Sequence, residues 1–182
     1  MNLPEYTEDW SMDVILEGPD GLEASSDFVY DAAASGRSDL QICSFYLPGT
    51  YTIRATVSAY DYDYNNTTFD LAPSKFTLRK PRTQTTVKAS TTNPSKGQVV
   101  RFNVVSKDER PKGYFPNDYA DVILQALKGG KWVNVKGTKG YTNSSGRTVL
   151  KVRFAGKAVK VRARTLGDEY NTGSYSGTLT LR

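Results

Sequence analysis

One short stretch of this chain occurs twice. Tyr51-Thr52-Ile53-Arg54-Ala55 returns as Val159-Lys160-Val161-Arg162-Ala163, and each copy alternates apolar with polar residues, the period-two pattern of a strand with one buried face. Asp13-Val14-Ile15-Leu16 and Asp121-Val122-Ile123-Leu124 share the same offset of 108. Other landmarks follow in unbroken order: Gly36-Arg37-Ser38 with Gly146-Arg147-Thr148, Phe45 with Phe154, Tyr64-Asn65 with Tyr170-Asn171, and Leu78-Arg79 with Leu181-Arg182. Small loop insertions account for the drift in offset. A period of about a hundred residues suits a β-sandwich domain better than a solenoid unit.

A chain of 182 residues has room for two such cores. Gly and Pro separate short runs rich in Val, Ile, Thr, Tyr and Phe, and no segment holds helical apolar spacing for several turns, so the composition is all-β. Histidine is absent, which removes the commonest general base, the Ser-His and Cys-His nucleophile pairs and the usual zinc ligand. No catalytic residue and no cofactor motif is recognisable. Cys43 is the single cysteine, so no intrachain disulfide forms; it reads as a buried strand residue acting as a small hydrophobe, or as half of a bridge to another chain. No apolar run is long enough to span a bilayer. The start Met1-Asn2-Leu3-Pro4-Glu5 has neither the basic nor the apolar region of a signal peptide.

The second copy reads as seven strands: A at 85–90, B at 99–106, C at 121–127, C′ at 132–136, E at 148–154, F at 158–165 and G at 175–181. A long loop through Pro111, Gly113 and Pro116 joins B to C, and Lys128-Gly129-Gly130-Lys131 and Asn143-Ser144-Ser145-Gly146 supply tight turns. Seven strands in that span match an immunoglobulin-like sandwich. The first copy is shorter. Tyr6 aligns with Tyr114 in the loop between B and C, so strands A and B of the first unit are expected to be missing. The expectation is two tandem immunoglobulin-like β-sandwich domains, residues 1–80 incomplete and 81–182 complete. An open edge on the first would favour self-association, or a strand supplied by another chain.

Several of these motifs resemble the immunoglobulin-like repeat domains of secreted and surface proteins of Gram-positive bacteria. The resemblance rests on Pro94-Ser95-Lys96-Gly97-Gln98-Val99-Val100, Gly129-Gly130-Lys131-Trp132-Val133, Asn143-Ser144-Ser145-Gly146, Val161-Arg162-Ala163 and Gly167-Asp168-Glu169-Tyr170. It covers nearly all of residues 83–182 and, in the first copy, chiefly Pro48-Gly49-Thr50-Tyr51 and the strand that follows. It implies an extracellular protein, secreted or at the cell surface, that binds or spaces without catalysis. These motifs are structural punctuation, which specifies a fold far better than a ligand.

Charge divides the chain. Residues 1–80 carry five Lys plus Arg against thirteen Asp plus Glu, net −8, while residues 81–182 carry nineteen against six, net +13. The halves are expected to attract, within a molecule or head-to-tail between molecules, and the basic half to hold an anionic partner. On strand F, Lys160, Arg162 and Arg164 share one face at about 7 Å spacing. The plain reading is a solvated sheet face; the functional reading is contact with anionic cell-wall polymer or an acidic protein. Nucleic acid fits less well, because no aromatic platform is interleaved with these cations.

Tyr60-Asp61-Tyr62-Asp63-Tyr64-Asn65-Asn66 is the densest aromatic and acidic stretch. Tyr60, Tyr62 and Tyr64 are candidates for recognition at a loop tip, of carbohydrate or protein. Asp61, Asp63 and Asn65 mimic the opening of a calcium loop, but Asn66 replaces its turn glycine and Ala72 its closing glutamate, so a plain hairpin loop is the stronger expectation. Trp132 reads as a packing residue or lid, and Trp10 as a cover over the exposed core of the first unit. The function expected is a non-catalytic binding or spacer module. The alternatives are a carbohydrate-targeting accessory module and a structural subunit assembling by strand pairing.

Overall fold

The computed structural model describes residues 7–30, 40–43 and 46–182. Gly36, Arg37, Ser38, Phe45 and Tyr6 of the aligned landmarks lie outside them. Among the described residues every regular element is a strand, and none is a helix that could cross a membrane. The chain divides into two compact units, Met1–Arg79 and Lys80–Arg182.

The first unit contributes one five-stranded antiparallel sheet: β1 (Asp9–Glu17), β2 (Glu23–Tyr30), β3 (Gly49–Tyr60), β4 (Asn66–Asp70) and β5 (Ser74–Leu78). Its order is β2-β1-β3-β4, with β5 on the other half of β3. Alternation gives the sheet two unlike faces. Trp10, Val14 and Leu16 of β1 and Tyr51, Val57 and Ala59 of β3 are buried on one of them. Trp10 packs with Val57, Ala59, Met12, Val29, Phe69 and Leu71. Tyr51 is an anchor: its ring stacks between Phe76 and Tyr46, with centroids 5.5 and 6.1 Å away, and its hydroxyl donates to the Leu47 carbonyl at 2.7 Å. Burial raises the Tyr51 pKa.

The second unit is a two-sheet sandwich. Its first sheet runs β12-β7-β6, with β8 on β7, from β6 (Thr83–Ala89), β7 (Val99–Arg110), β8 (Gly113–Pro116) and β12 (Arg147–Arg153). The second runs β10-β9-β13-β14, with β11 on β9 and β15 on β13. Its strands are β9 (Asp121–Lys128), β10 (Lys131–Asn134), β11 (Gly140–Tyr141), β13 (Val159–Thr165), β14 (Ser174–Tyr175) and β15 (Leu179–Leu181). A, B and E in one sheet and C′, C, F and G in the other is the partition of an immunoglobulin-like sandwich. Val100, Phe102 and Val104 of β7 and Leu150 of β12 meet Val122, Leu124, Val161 and Ala163 from the facing sheet. Between the sheets, the buried Thr165 hydroxyl bonds those of Thr85 (2.6 Å) and Ser106 (3.2 Å), so these three hydroxyls satisfy one another.

The first unit's sheet repeats the connectivity of the second unit's larger sheet, with β1, β2 and β3 in the places of β9, β10 and β13. The register differs, however. A common offset of 108 on both strands would set Leu16 opposite Ala55, as Leu124 is opposite Ala163, yet Leu16 lies opposite Ile53. The slip is two residues. A two-residue slip leaves every side chain on its own face, so an alternating apolar pattern does not select between the two registers.

Three sequence expectations are corrected. The loop expected between B and C is a hairpin: β7 continues to Arg110 and turns through Pro111-Lys112 into β8, with Arg110 opposite Gly113. Proline presets the φ of that turn, and Gly113 sits at φ 122°. Strand G is broken into β14 and β15, because Ser176 between them bonds Ala163 with both its side chain and its backbone N–H. Cys43 is half-buried and outside any strand.

Candidate functional site

Charge and aromatic side chains collect on three sheet faces. On β13, Val161, Ala163 and Thr165 turn inward and are buried, leaving Lys160, Arg162 and Arg164 on the outer face. The middle cation is held in place. Arg162 donates from Nε to Oε1 of Gln125 at 2.9 Å, and its guanidinium lies 4.3 Å from the Trp132 ring centroid and 4.0 Å from that of Tyr175. Gln125, buried, is fixed in turn by Nε2 donating to Asn134 at 2.9 Å. Arg164 approaches Tyr175 at 5.3 Å, and Lys160 is exposed. Trp132 therefore packs under a guanidinium. The sequence shows no aromatic residues among the cations of β13, but the fold brings two rings to them from β10 and β14.

A second basic face lies on the outside of the β12-β7-β6 sheet, and strand-by-strand reading missed it. The same alternation that buries Val100, Phe102, Val104 and Leu150 turns Arg101 and Lys107 of β7, Lys88 of β6, and Arg147, Lys151 and Arg153 of β12 outward, all exposed. A groove of about 370 Å³ runs among Lys88, Lys107 and Arg147, floored by Thr86, Asn103 and Val105. Arg101 is the direct cross-strand partner of Lys151. Like charges placed opposite each other repel by roughly 0.2–1 kcal/mol. The signal was available: applying the period-two argument to strands B and E, as to F, puts these cations on one face.

In the first unit the face turned away from Trp10 is acidic and aromatic. Asp13 is exposed and lies opposite Phe28, itself exposed; Tyr30 donates its hydroxyl to Asp9 at 3.1 Å, a bond that raises the tyrosine pKa. At the end of this face Glu8, Asp9, Tyr30, Tyr60, Asp61 and Tyr64 line a groove of about 490 Å³. Of the three loop tyrosines, Tyr60 and Tyr64 enter the groove, while Tyr62 stands exposed outside it. Tyr30, from β2, is the ring that local sequence could not place.

The loop itself is closed by Asp61. One carboxylate oxygen accepts the backbone N–H groups of Asp63 and Asn65, both at 2.9 Å, and the other accepts the Asn65 side-chain amide at 2.9 Å. These donors, the Asn65 side chain first, hold the Asp61 pKa below its ordinary value. The geometry is that of a hairpin loop with Tyr64 at φ 60°. Asp61, Asp63 and Asn65 are joined by protein donors, and among the described residues no three His, Cys, Asp or Glu side chains converge on a metal position.

No family model and no curated protein matches this chain. Among solved structures it is similar to a tetra-tandem repeat in the extending region of a large adhesion protein, at 16% identity and TM-score 0.45, over 95% of this chain and 42% of that one. It is also similar to murine CEACAM1b, at 13% identity and TM-score 0.40, over 100% and 88% of the respective chains. A third likeness is to the amphioxus IgVJ-C2 molecule, at 11% identity and TM-score 0.39, over 99% and 92%. The chain thus spans less than half the length of the adhesion-protein repeat. Likenesses this distant carry no argument about function; the immunoglobulin-like assignment stands on the strand order.

Proposed function

We propose that this chain is a non-catalytic binding module of a secreted or surface-exposed bacterial protein, and that its basic unit holds an anionic cell-wall polymer across the outer face of the β12-β7-β6 sheet. The observation that carries this reading is the direct opposition of Arg101 and Lys151 beside the groove of Lys88, Lys107 and Arg147. A sheet face that sets like charges side by side is relieved by an anion lying along it, and a flexible polymer with repeated anionic groups can meet Lys151 and Arg153, about 7 Å apart along β12, and Arg101 and Lys107, about 20 Å apart along β7. The β13 face suits this role less well, because Arg162 is already engaged by Gln125 and two rings. The bacterial and extracellular parts of the proposal rest on the sequence resemblance described above. The lack of histidine supports the non-catalytic part.

Capture of the whole chain on immobilised poly(glycerol phosphate) tests the proposal. Binding is expected at low ionic strength and is expected to fade as salt rises past the screening range. The triple variant Lys88→Ala, Lys107→Ala, Arg147→Ala should lose about tenfold in affinity, at roughly half a kcal/mol per exposed charge, and Lys160→Ala with Arg164→Ala less than threefold. Absence of binding at low salt overturns the proposal.

A further inference from the structure

The two units present the same sheet face with opposite charge. In the first unit it is the outer side of β2-β1-β3, where exposed Asp13 lies between Phe28 on β2 and Thr56 on β3. It ends in the groove of Glu8, Asp9 and Asp61 with three tyrosine rings. In the second unit the matching outer side of β10-β9-β13 carries Lys160, Arg162 and Arg164 with Trp132 and Tyr175. Each face combines an apolar ring surface with an excess of charges of one sign, the minority charges being ion-paired, Arg54 with Glu17 on the first and Asp121 with Lys139 on the second. Phe28, Tyr30 and Tyr64 on the first and Tyr175 on the second are more than half exposed.

We infer that these two faces are mates between copies of this chain: the acidic, tyrosine-lined face of one copy docks on the Arg162 face of the next. The occupant is argued from charge. The half bearing the first face is net −8 and the half bearing the second is net +13, so a copy approaching head-to-tail is attracted at both ends while head-to-head approach is repelled. The chemistry matches in detail. An arginine or lysine of β13 entering the groove would lay its alkyl stem and cationic end on tyrosine rings, with carboxylates at the rim. Such a contact joins unlike surfaces, so copies either pair reciprocally or add one to the next, and the mass reached at high concentration distinguishes the two. Three strands at about 4.8 Å spacing and about 30 Å length present roughly 430 Å² per face, about half of the ~800 Å² per partner of a standard interface. The association is therefore expected to be weak and to show at high concentration.

Light scattering of the full chain across a dilution series tests this. The average mass is expected to rise with concentration at low salt and to return to monomer at about 1 M salt. Glu8→Lys with Asp13→Lys, and separately Lys160→Glu with Arg164→Glu, should each abolish the rise while leaving the thermal unfolding curve in place. Neither Glu8 nor Asp13 has a side-chain ion pair among the described residues. Mixing the two double variants should restore association at one-to-one stoichiometry. A wild-type chain that stays monomeric at every concentration overturns the inference, and so does association that survives both double variants, which would place the contact on a strand edge or another face. The outcome is separable from polymer capture: Glu8→Lys with Asp13→Lys should still bind poly(glycerol phosphate), because the β12-β7-β6 face is untouched.

Discussion

Arg162 donates its Nε–H to the Gln125 side-chain oxygen 2.9 Å away, and Arg54 makes the corresponding bond to Glu17 at 2.8 Å in the first unit. Both arginines come from the repeated strand and both acceptors from the strand beside it. The surroundings differ. Arg54 and Glu17 form an exposed ion pair, of a kind worth about 0–1 kcal/mol, whereas Arg162 is pressed between two rings. Arg162→Ala is expected to destabilise the second unit by about 1–2 kcal/mol, from the lost hydrogen bond and ring contacts. Arg162→Lys should recover less than half of that, since an ammonium lacks the planar stacking surface. Urea unfolding followed by tryptophan emission, with Trp132 reporting the second unit, measures both.

The opposed pair Arg101 and Lys151 leads to a prediction of the other sign. Lys151→Thr removes one of two like charges in direct register and supplies a residue that favours strands. It should stabilise the chain by up to about 0.5 kcal/mol at low salt, and the gain should vanish near 1 M salt, where the repulsion is screened in the parent. A gain that persists at high salt would assign the effect to strand propensity alone. Weaker capture by poly(glycerol phosphate) in this more stable variant would tie the repulsion to binding.

What could be read from sequence follows from what alternation encodes. The period-two pattern placed Val161 and Ala163 inside and Lys160, Arg162 and Arg164 outside, because burial selects for side-chain character at every second position. It could not fix the register of β1 on β3, since a slip of two preserves every face. Nor could it show that Trp132, Tyr175 and Gln125 converge on Arg162, or that Tyr30 joins Tyr60 and Tyr64, because these meetings depend on which strands are neighbours. The β7–β8 hairpin was hidden by its own punctuation: Pro111 and Gly113 read as a loop when they form a tight turn inside paired strands. The basic β12-β7-β6 face was legible in principle, through the alternate positions of Arg101, Lys107, Arg147 and Lys151.

Gly146 closes the turn that follows Asn143, and two independent constraints hold it. Its φ is +67°, and a Cβ there would stand 2.4 Å from the Ser106 carbonyl oxygen and 3.1 Å from the backbone of Pro116 and Asn117. Those neighbours are backbone that cannot rotate away. Gly146→Ala is expected to destabilise by more than about 3 kcal/mol, summing a left-handed penalty of roughly 1–2 with the shift of packed strands. Gly129 makes the comparison, with φ +54° and open space around the missing Cβ; Gly129→Ala should lose only about 1 kcal/mol. Equal losses by thermal unfolding would mean that β7 yields where the geometry says it is fixed.

Asp108 gives the second unit a pH dependence opposite to that of a salt-bridged carboxylate. The residue is 5% exposed on the inward side of β7, and burial raises its pKa above the ordinary carboxylate value, with nearby Asp168 pushing the same way. The Thr83 hydroxyl, donating at 3.2 Å, and the charge of Arg110 oppose the shift without cancelling it. The folded chain therefore holds this proton at pH values where the unfolded chain has released it. Its contribution favours folding most below the unfolded pKa, declines as pH rises through the interval between the two pKa values, and is flat above the folded one. Asp108→Asn keeps an acceptor for Thr83 and removes the charge. The variant should be more stable than the parent at pH 7, with the difference shrinking toward pH 3, where the parent carboxyl is itself neutral. Parallel thermal unfolding of both proteins between pH 3 and pH 7 reads the difference directly; a variant less stable at pH 7 by as much as at pH 3 would show that Asp108 serves through shape and hydrogen bonding, and that its charge is tolerated without penalty.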